Sequence, residues 1–107
     1  MALAVSRLEL GVLLEGHVTL LDVRRRPVYE AAQDMIAGAL WRDPEAVADW
    51  AGTLPGEVPT VVYCVYGHAV SQGVADALGA RGLDAYFLAG GLEGWREANG
   101  ELQSAPH

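Results

Sequence analysis

Cys64 is the single cysteine among 107 residues and the side chain with the most chemistry to offer. It follows the branched, apolar run Thr60-Val61-Val62-Tyr63 and precedes the short stretch Val65-Tyr66-Gly67-His68-Ala69; beyond it Val70, Val74, Ala77 and Leu78 recur at helical spacing. Strand, tight loop, helix puts a thiol at the carboxyl end of a strand, where open α/β sheets hold ligands. The first amides of the following helix lack intrahelical partners, and its dipole favours negative charge there. If the amides of Val65, Tyr66, Gly67, His68, Ala69 and Val70 curl toward the sulfur, they form a nest of N–H donors. Gly67 relaxes the backbone for that curl. Such a cradle lowers the pKa of a thiol whose free value is ~8.5, and it suits an anionic persulfide and an incoming anionic donor. Two other readings stay open at this point. Cysteine is among the most buried residue types, and Cys64 could serve packing alone. Cys64-x-x-x-His68 could begin a metal site, but no second pair of ligands accompanies it.

The elements that must position this thiol alternate between strand-like and helix-like, the pattern of an α/β fold with a mainly parallel sheet. Residues 2–5 read as a short strand. Ser6 and Glu9 form a capping box that opens a helix to about Glu15, where Gly16 stops it. Residues 18–23 read as a buried strand, residues 27–32 as one or two helical turns, and residues 34–39 as an irregular or short extended piece. Asp43-Pro44 is a good helix start, an N-cap followed by proline, for a helix through Val47 and Trp50 ending near Gly52. Residues 60–64 are the clearest strand, residues 70–80 a helix, residues 85–88 the last strand and residues 92–98 a final short helix. The expectation is one domain over residues 1–107, with a core of about 3–100 and a frayed tail over 101–107.

Composition narrows the function classes. Half the residues are hydrophobic (51%), enough for one core. All seven basic residues are arginines, and the formal net charge is −7. That charge argues against nucleic acid and anionic lipid as general partners, so a small anion must be bound locally. One cysteine excludes an internal disulfide or a CxxC redox pair and fits a reducing compartment. No stretch approaches a membrane span, and Arg7 and Glu9 interrupt any signal-peptide core. These features predict a cytoplasmic protein.

Taken in order, three segments give the chain a family likeness. LLDVR at residues 20–24 followed by IAGA at 36–39, YCVYGHAVS at 63–71 and AGGLEGW at 89–95 together resemble the single-domain rhodaneses, thiosulfate sulfurtransferase-like proteins, over about residues 6–100. The resemblance implies a rhodanese-like α/β fold, a five-stranded, mostly parallel sheet flanked by helices on both faces. It implies Cys64 as the nucleophile, Val65, Tyr66, Gly67, His68, Ala69 and Val70 as the substrate-binding loop, and Asp22 and Arg24 as a supporting pair. That pair could equally be a salt bridge or strand-end surface charge. The six-membered loop from Cys64 to Ala69 has the length associated with sulfur transfer. The related phosphatases and arsenate reductases use a longer loop closed by arginine, and here no arginine follows Cys64 until Arg81.

The family pattern is departed from at several positions. Met35 and Ala37 stand where histidine and proline are common, the loop offers Tyr66 and His68 where thiosulfate-using relatives often have lysine or arginine, and Ala69 has no hydroxyl for the sulfur. Gly90 and Gly91 read as turn and packing residues, and Trp41, Trp50 and Trp95 as core anchors. Arg24-Arg25-Arg26 reads as a solvated face that could help guide an anion. His17 and His107 carry no signal.

The implied reaction is a two-step displacement through a Cys64 persulfide, from a small anionic donor such as thiosulfate to a thiol or carrier-protein acceptor, with no metal or organic cofactor. The rivals are a relay or oxyanion-binding module that acts with one protein partner, a phosphatase or arsenate reductase, and a purely structural domain.

Overall fold

The computed structural model describes residues 2–106; Met1 and His107, the last residue of the tail expected to fray, lie outside them. In chain order the elements are β1 Leu3–Val5, α1 Arg7–Leu14, β2 Thr19–Asp22, α2 Arg26–Ala31, β3 Asp34–Ile36, β4 Leu40–Trp41, α3 Val47–Trp50, β5 Thr60–Tyr63, α4 Ala69–Ala80, β6 Ala85–Leu88, α5 Gly91–Glu97 and β7 Leu102–Ser104. Five strands form one parallel sheet in the order β1-β6-β5-β2-β4. This is the five-stranded, parallel α/β sheet that the resemblance implies.

β5 is the middle strand because its side chains can be buried on both faces. Thr60, Val61, Val62 and Tyr63 are all inaccessible to solvent, and burying each large apolar side chain contributes ~1.5–3 kcal/mol before entropy is counted. Period two sorts the neighbours. Leu20, Val61 and Tyr63 pack with Leu10 of α1 and Leu92 and Trp95 of α5, whereas Leu21 and Val62 pack with Trp50 of α3 and Val74, Ala75 and Leu78 of α4. The sheet is therefore clothed on both faces, as parallel sheets require. The register sets Asp22 beside Tyr63, which brings the ends of β2 and β5 level.

Local signals act where expected in α1. Ser6 Oγ accepts from the Glu9 amide at 3.0 Å while the Glu9 carboxylate accepts from the Ser6 amide at 2.8 Å. The segment after Asp43 differs from the continuous helix expected. It runs as a 3-10 turn (Pro44–Ala46), the single turn of α3, and a second 3-10 turn (Ala51–Thr53). The cause is Trp50, whose indole N–H donates back to the Asp43 carbonyl at 2.8 Å and draws the segment into a tight curl. Trp50 and Trp95 are core anchors, as expected; Trp41 is only partly buried and stacks on Tyr29 with ring centroids 4.8 Å apart.

The tail is also different from expectation. Instead of fraying, Leu102–Ser104 pairs antiparallel with β3 in a second, two-stranded sheet. Side chains explain the order. Leu102 packs on the core, and the Gln103 amide accepts from the Gly38 N–H at 2.9 Å and donates to the Ala39 carbonyl at 3.3 Å. The Trp95 indole N–H donates to the Glu101 carbonyl at 2.9 Å, tying α5 to the same strand. No helix among the described residues is long and apolar enough to cross a membrane.

Candidate active site

Cys64 is the first residue beyond β5, at the carboxyl end of the sheet. It is 6% exposed, yet it lines a cavity of about 290 Å³ with Arg24, Arg25, Val28, Val65, Tyr66, His68, Ala69 and Val70. Cys64 is thus almost wholly enclosed by protein, yet it borders a recess.

The loop between β5 and α4 is built around two glycines. Gly67 has φ +76°, and a Cβ there would sit 2.7 Å from the Leu88 carbonyl oxygen and 2.9 Å from the Gly90 nitrogen. Gly91, at φ +60°, packs beneath the loop so closely that a Cβ would lie 2.6 Å from the Cys64 and Val65 carbonyl oxygens and the Gly67 nitrogen. Both positions combine a left-handed backbone with contact to another main chain, which leaves only glycine. The α5 amides complete the joint: Leu92 N–H donates to the Cys64 carbonyl at 2.9 Å and Glu93 N–H to the Val65 carbonyl at 3.0 Å. The Gln72 side chain donates to the Gly67 carbonyl at 3.0 Å from the other side.

With those carbonyls held away, amides face the sulfur. Burial pushes the Cys64 thiol up, but hydrogen bonds from the Ser71 hydroxyl and from the backbone N–H groups of Ser71, Gly67 and His68 outweigh it, so the thiol is held below its ordinary value. Ser71 Oγ is 3.2 Å from Cys64 Sγ and fully buried. A protonated thiol donates to this hydroxyl, and an ionised sulfur accepts from it.

The expected donors are thus partly revised. Gly67 and His68 contribute their amides, while Ser71, outside the expected span, contributes both an amide and the hydroxyl that Ala69 lacks. Val65, Tyr66, Ala69 and Val70 line the cavity instead. Tyr66 is 59% exposed, and its ring is tilted 32° to that of His68 with centroids 6.2 Å apart. Ser71 and Gln72 were the residues missed. Their signal was position alone, since a helix beginning at Ala69 puts both in its first turn.

Asp22 and Arg24 are a buried pair rather than surface charges, 0% and 4% exposed. The Asp22 carboxylate accepts from Arg24 Nε at 2.9 Å and Nη2 at 2.6 Å, from the Arg24 amide at 3.0 Å and from the Tyr63 hydroxyl at 2.9 Å. Arg24 Nη2 also donates to the Asp34 carbonyl at 2.9 Å, and Tyr63 Oη accepts from the Ile36 amide at 3.0 Å. Burial, and then the Asp22 charge, push the Tyr63 hydroxyl well above its usual range, so it stays a donor. This network fastens β2, β3 and β5 together one residue behind Cys64. Breaking a buried pair of this kind by removing one partner costs ~3–5 kcal/mol.

Among the described residues no group of three or more His, Cys, Asp or Glu side chains is placed to hold a metal ion.

A thiol ringed by donors at the end of a central parallel strand agrees with the sequence comparison. Residues 7–98 match the rhodanese-like domain. The chain belongs to that family. The solved structures it is similar to include a full-length protein from Lactobacillus plantarum, at 29% identity with a TM-score of 0.81 over 95% of this chain and 88% of that one. A rhodanese-like domain protein from Staphylococcus aureus is similar at 25% identity with a TM-score of 0.74, covering 87% of this chain and 90% of that chain. A thiosulfate sulfurtransferase from Pseudomonas aeruginosa shares the fold at 19% identity, with a TM-score of 0.81 over 96% of this chain and 19% of its own. No curated protein sequence matches. Within this rhodanese-like domain the glycine pair at 90–91 has a specific place, under the Cys64 loop.

Proposed function

We propose that this rhodanese-like protein is a sulfurtransferase that carries a sulfane sulfur on Cys64. The observation that carries the reading is Cys64 itself, which lines a cavity and whose thiol is held below its ordinary pKa by one hydroxyl and three amides. In the first step the Cys64 thiolate attacks the outer sulfur of an anionic donor such as thiosulfate. A Cys64–sulfur bond forms, the donor's S–S bond breaks, and the bonding pair leaves with sulfite. The persulfide keeps the negative charge, and the same donors that held the thiolate hold it. In the second step a thiophilic acceptor (cyanide in an assay, a thiol or carrier protein in the cell) attacks the outer sulfur and returns the pair to Cys64. The loop supports this by its amides, Asp22 and Arg24 by holding the strand ends in place. In this reading the protein works in the cytoplasm, where a lone cysteine stays reduced.

Phosphoryl transfer is disfavoured because neither the loop nor α4 offers a guanidinium to clamp the equatorial oxygens. A relay that hands its sulfur to one protein partner is the second reading, favoured by the apolar rim that Val28 and Tyr66 present, 44% and 59% exposed.

The test is intact mass after incubation with thiosulfate, followed by cyanide. Wild type is expected to gain one sulfur and lose it to cyanide, and Cys64→Ser to gain none. A relay would load but scarcely turn over cyanide. An unmodified wild type across several sulfane donors would sink sulfur transfer.

A further inference from the structure

The loop around Cys64 carries neither lysine nor arginine, and a chain of net charge −7 repels anions at long range. Cations reach the cavity from the turn that follows β2. Arg24 and Arg25 both line it. Arg24 is buried and committed, with its Nε and Nη2 on Asp22 and its Nη2 also on the Asp34 carbonyl. Arg25 is exposed. Among the described residues its guanidinium enters no ion pair, whereas Arg26 meets Glu30 and Asp43, and Arg96 meets Asp34 and Glu93. Arg25 also borders a second recess with Pro44, Glu45, Val47 and Val70, so it stands on the ridge between the two hollows.

We infer that Arg25 binds the anionic end of the sulfur donor and is the residue that makes Cys64 select anionic over neutral reagents. The inference rests on the sulfurtransferase reading for the identity of the donor, but not for the selection itself. The rest of the lining is mostly apolar (Val28, Val65, Ala69 and Val70), with the Tyr66 and His68 rings beside it. The cavity therefore fits a donor of the thiosulfonate class, R–SO2–S⁻, in which R is an oxyanion or an apolar group. Attack by Cys64 on the terminal sulfur breaks its bond to the sulfonyl sulfur. The electron pair leaves on the sulfonyl group, as sulfite or a sulfinate. Negative charge grows on the oxygens facing Arg25 as that pair arrives, so the contact is strongest as the bond breaks.

Two alkylating agents of nearly equal size separate this contact from any general effect on the thiol: iodoacetate, which is an anion, and iodoacetamide, which is neutral. Arg25→Gln is expected to slow modification of Cys64 by iodoacetate, and its loading by thiosulfate, about ten-fold, the scale on which a local charge alters capture of a charged ligand. Iodoacetamide should react at the wild-type rate within roughly two-fold, because the sulfur's own donors are untouched and exposed substitutions rarely disturb a fold. Arg25→Lys should restore most of the iodoacetate rate, and added salt should narrow the gap between wild type and Arg25→Gln. Equal responses to the two reagents, or no response to either, would overturn the assignment. A wild type that takes no sulfur from thiosulfate, yet loses its preference for iodoacetate on the glutamine substitution, would sink sulfur transfer while upholding the anion contact.

Discussion

Ser71 shows how much a single hydroxyl decides at this sulfur. Its Oγ lies 3.2 Å from Cys64 Sγ in a fully buried position, and it is foremost among the groups that overcome the cost of burial. A hydrogen bond to a charged group is worth ~1.5–3 kcal/mol, so Ser71→Ala should lower the rate of iodoacetamide modification at neutral pH about ten-fold. The pH–rate profile should move to higher pH, because burial then meets less opposition. An unmoved profile would show that the amides alone hold the charge. The lowered pKa is also a statement about stability. The folded state binds its proton less tightly than the unfolded chain, so this contribution is present above the ordinary thiol pKa and is lost as pH falls through the folded value. Cys64 and the loop amides were legible from strand-loop-helix order. Ser71 was not, because the expected donor loop ends at Val70, whereas the first turn of α4 brings residue 71 back to the sulfur.

Between the elements, the decisive joint is that of α5 with the loop. Gly91 is in the left-handed region, and a Cβ there would run into three backbone atoms of residues 64, 65 and 67. Gly91→Ala must therefore push the loop and α5 apart. A strained left-handed residue alone costs ~1–3 kcal/mol, and overpacking adds a similar amount. The urea midpoint should fall accordingly, and sulfur loading should fall with it. Gly73→Ala on α4 is the control: its Cβ meets nothing within 4 Å, and alanine is the better helix former by up to ~1 kcal/mol. If both variants lose stability alike, backbone contact at Gly91 is not the cause. Helices with strong local signals, the Ser6–Glu9 capping box above all, were readable in advance. The α3 segment was not, since Trp50 bonding back to Asp43 is a contact across seven residues that periodicity does not report. β4 was missed for a similar reason. Two residues make a strand only because Leu21 and Asp22 lie alongside them.

On the scale of the whole molecule, the C-terminal strand reaches the site indirectly. β7 backs β3, and β3 supplies the Asp34 carbonyl that holds Arg24 and the Ile36 amide that holds Tyr63. Removing residues 101–107 should lower Tm by about 4–8 °C for each kcal/mol lost, and it should do so without abolishing the parallel sheet, whose pairings are elsewhere. An unchanged Tm would mean that β7 is decoration. Its polar sequence, Glu101-Leu102-Gln103-Ser104, carried no strand signal, and its partner β3, seven elements earlier in the chain, supplied the order. The fold as a whole was legible because the apolar strands at 19–22, 60–63 and 85–88 announce themselves by composition. The way α5 grips the loop has a further consequence. The oxygens of Cys64 and Val65 are turned toward α5 and engaged there, so the peptide units beside the sulfur are locked with one pole outward. Charge can come to that sulfur and depart from it without any dipole having to swing round. Little reorganisation energy is then left to add to a barrier on either leg of a cycle.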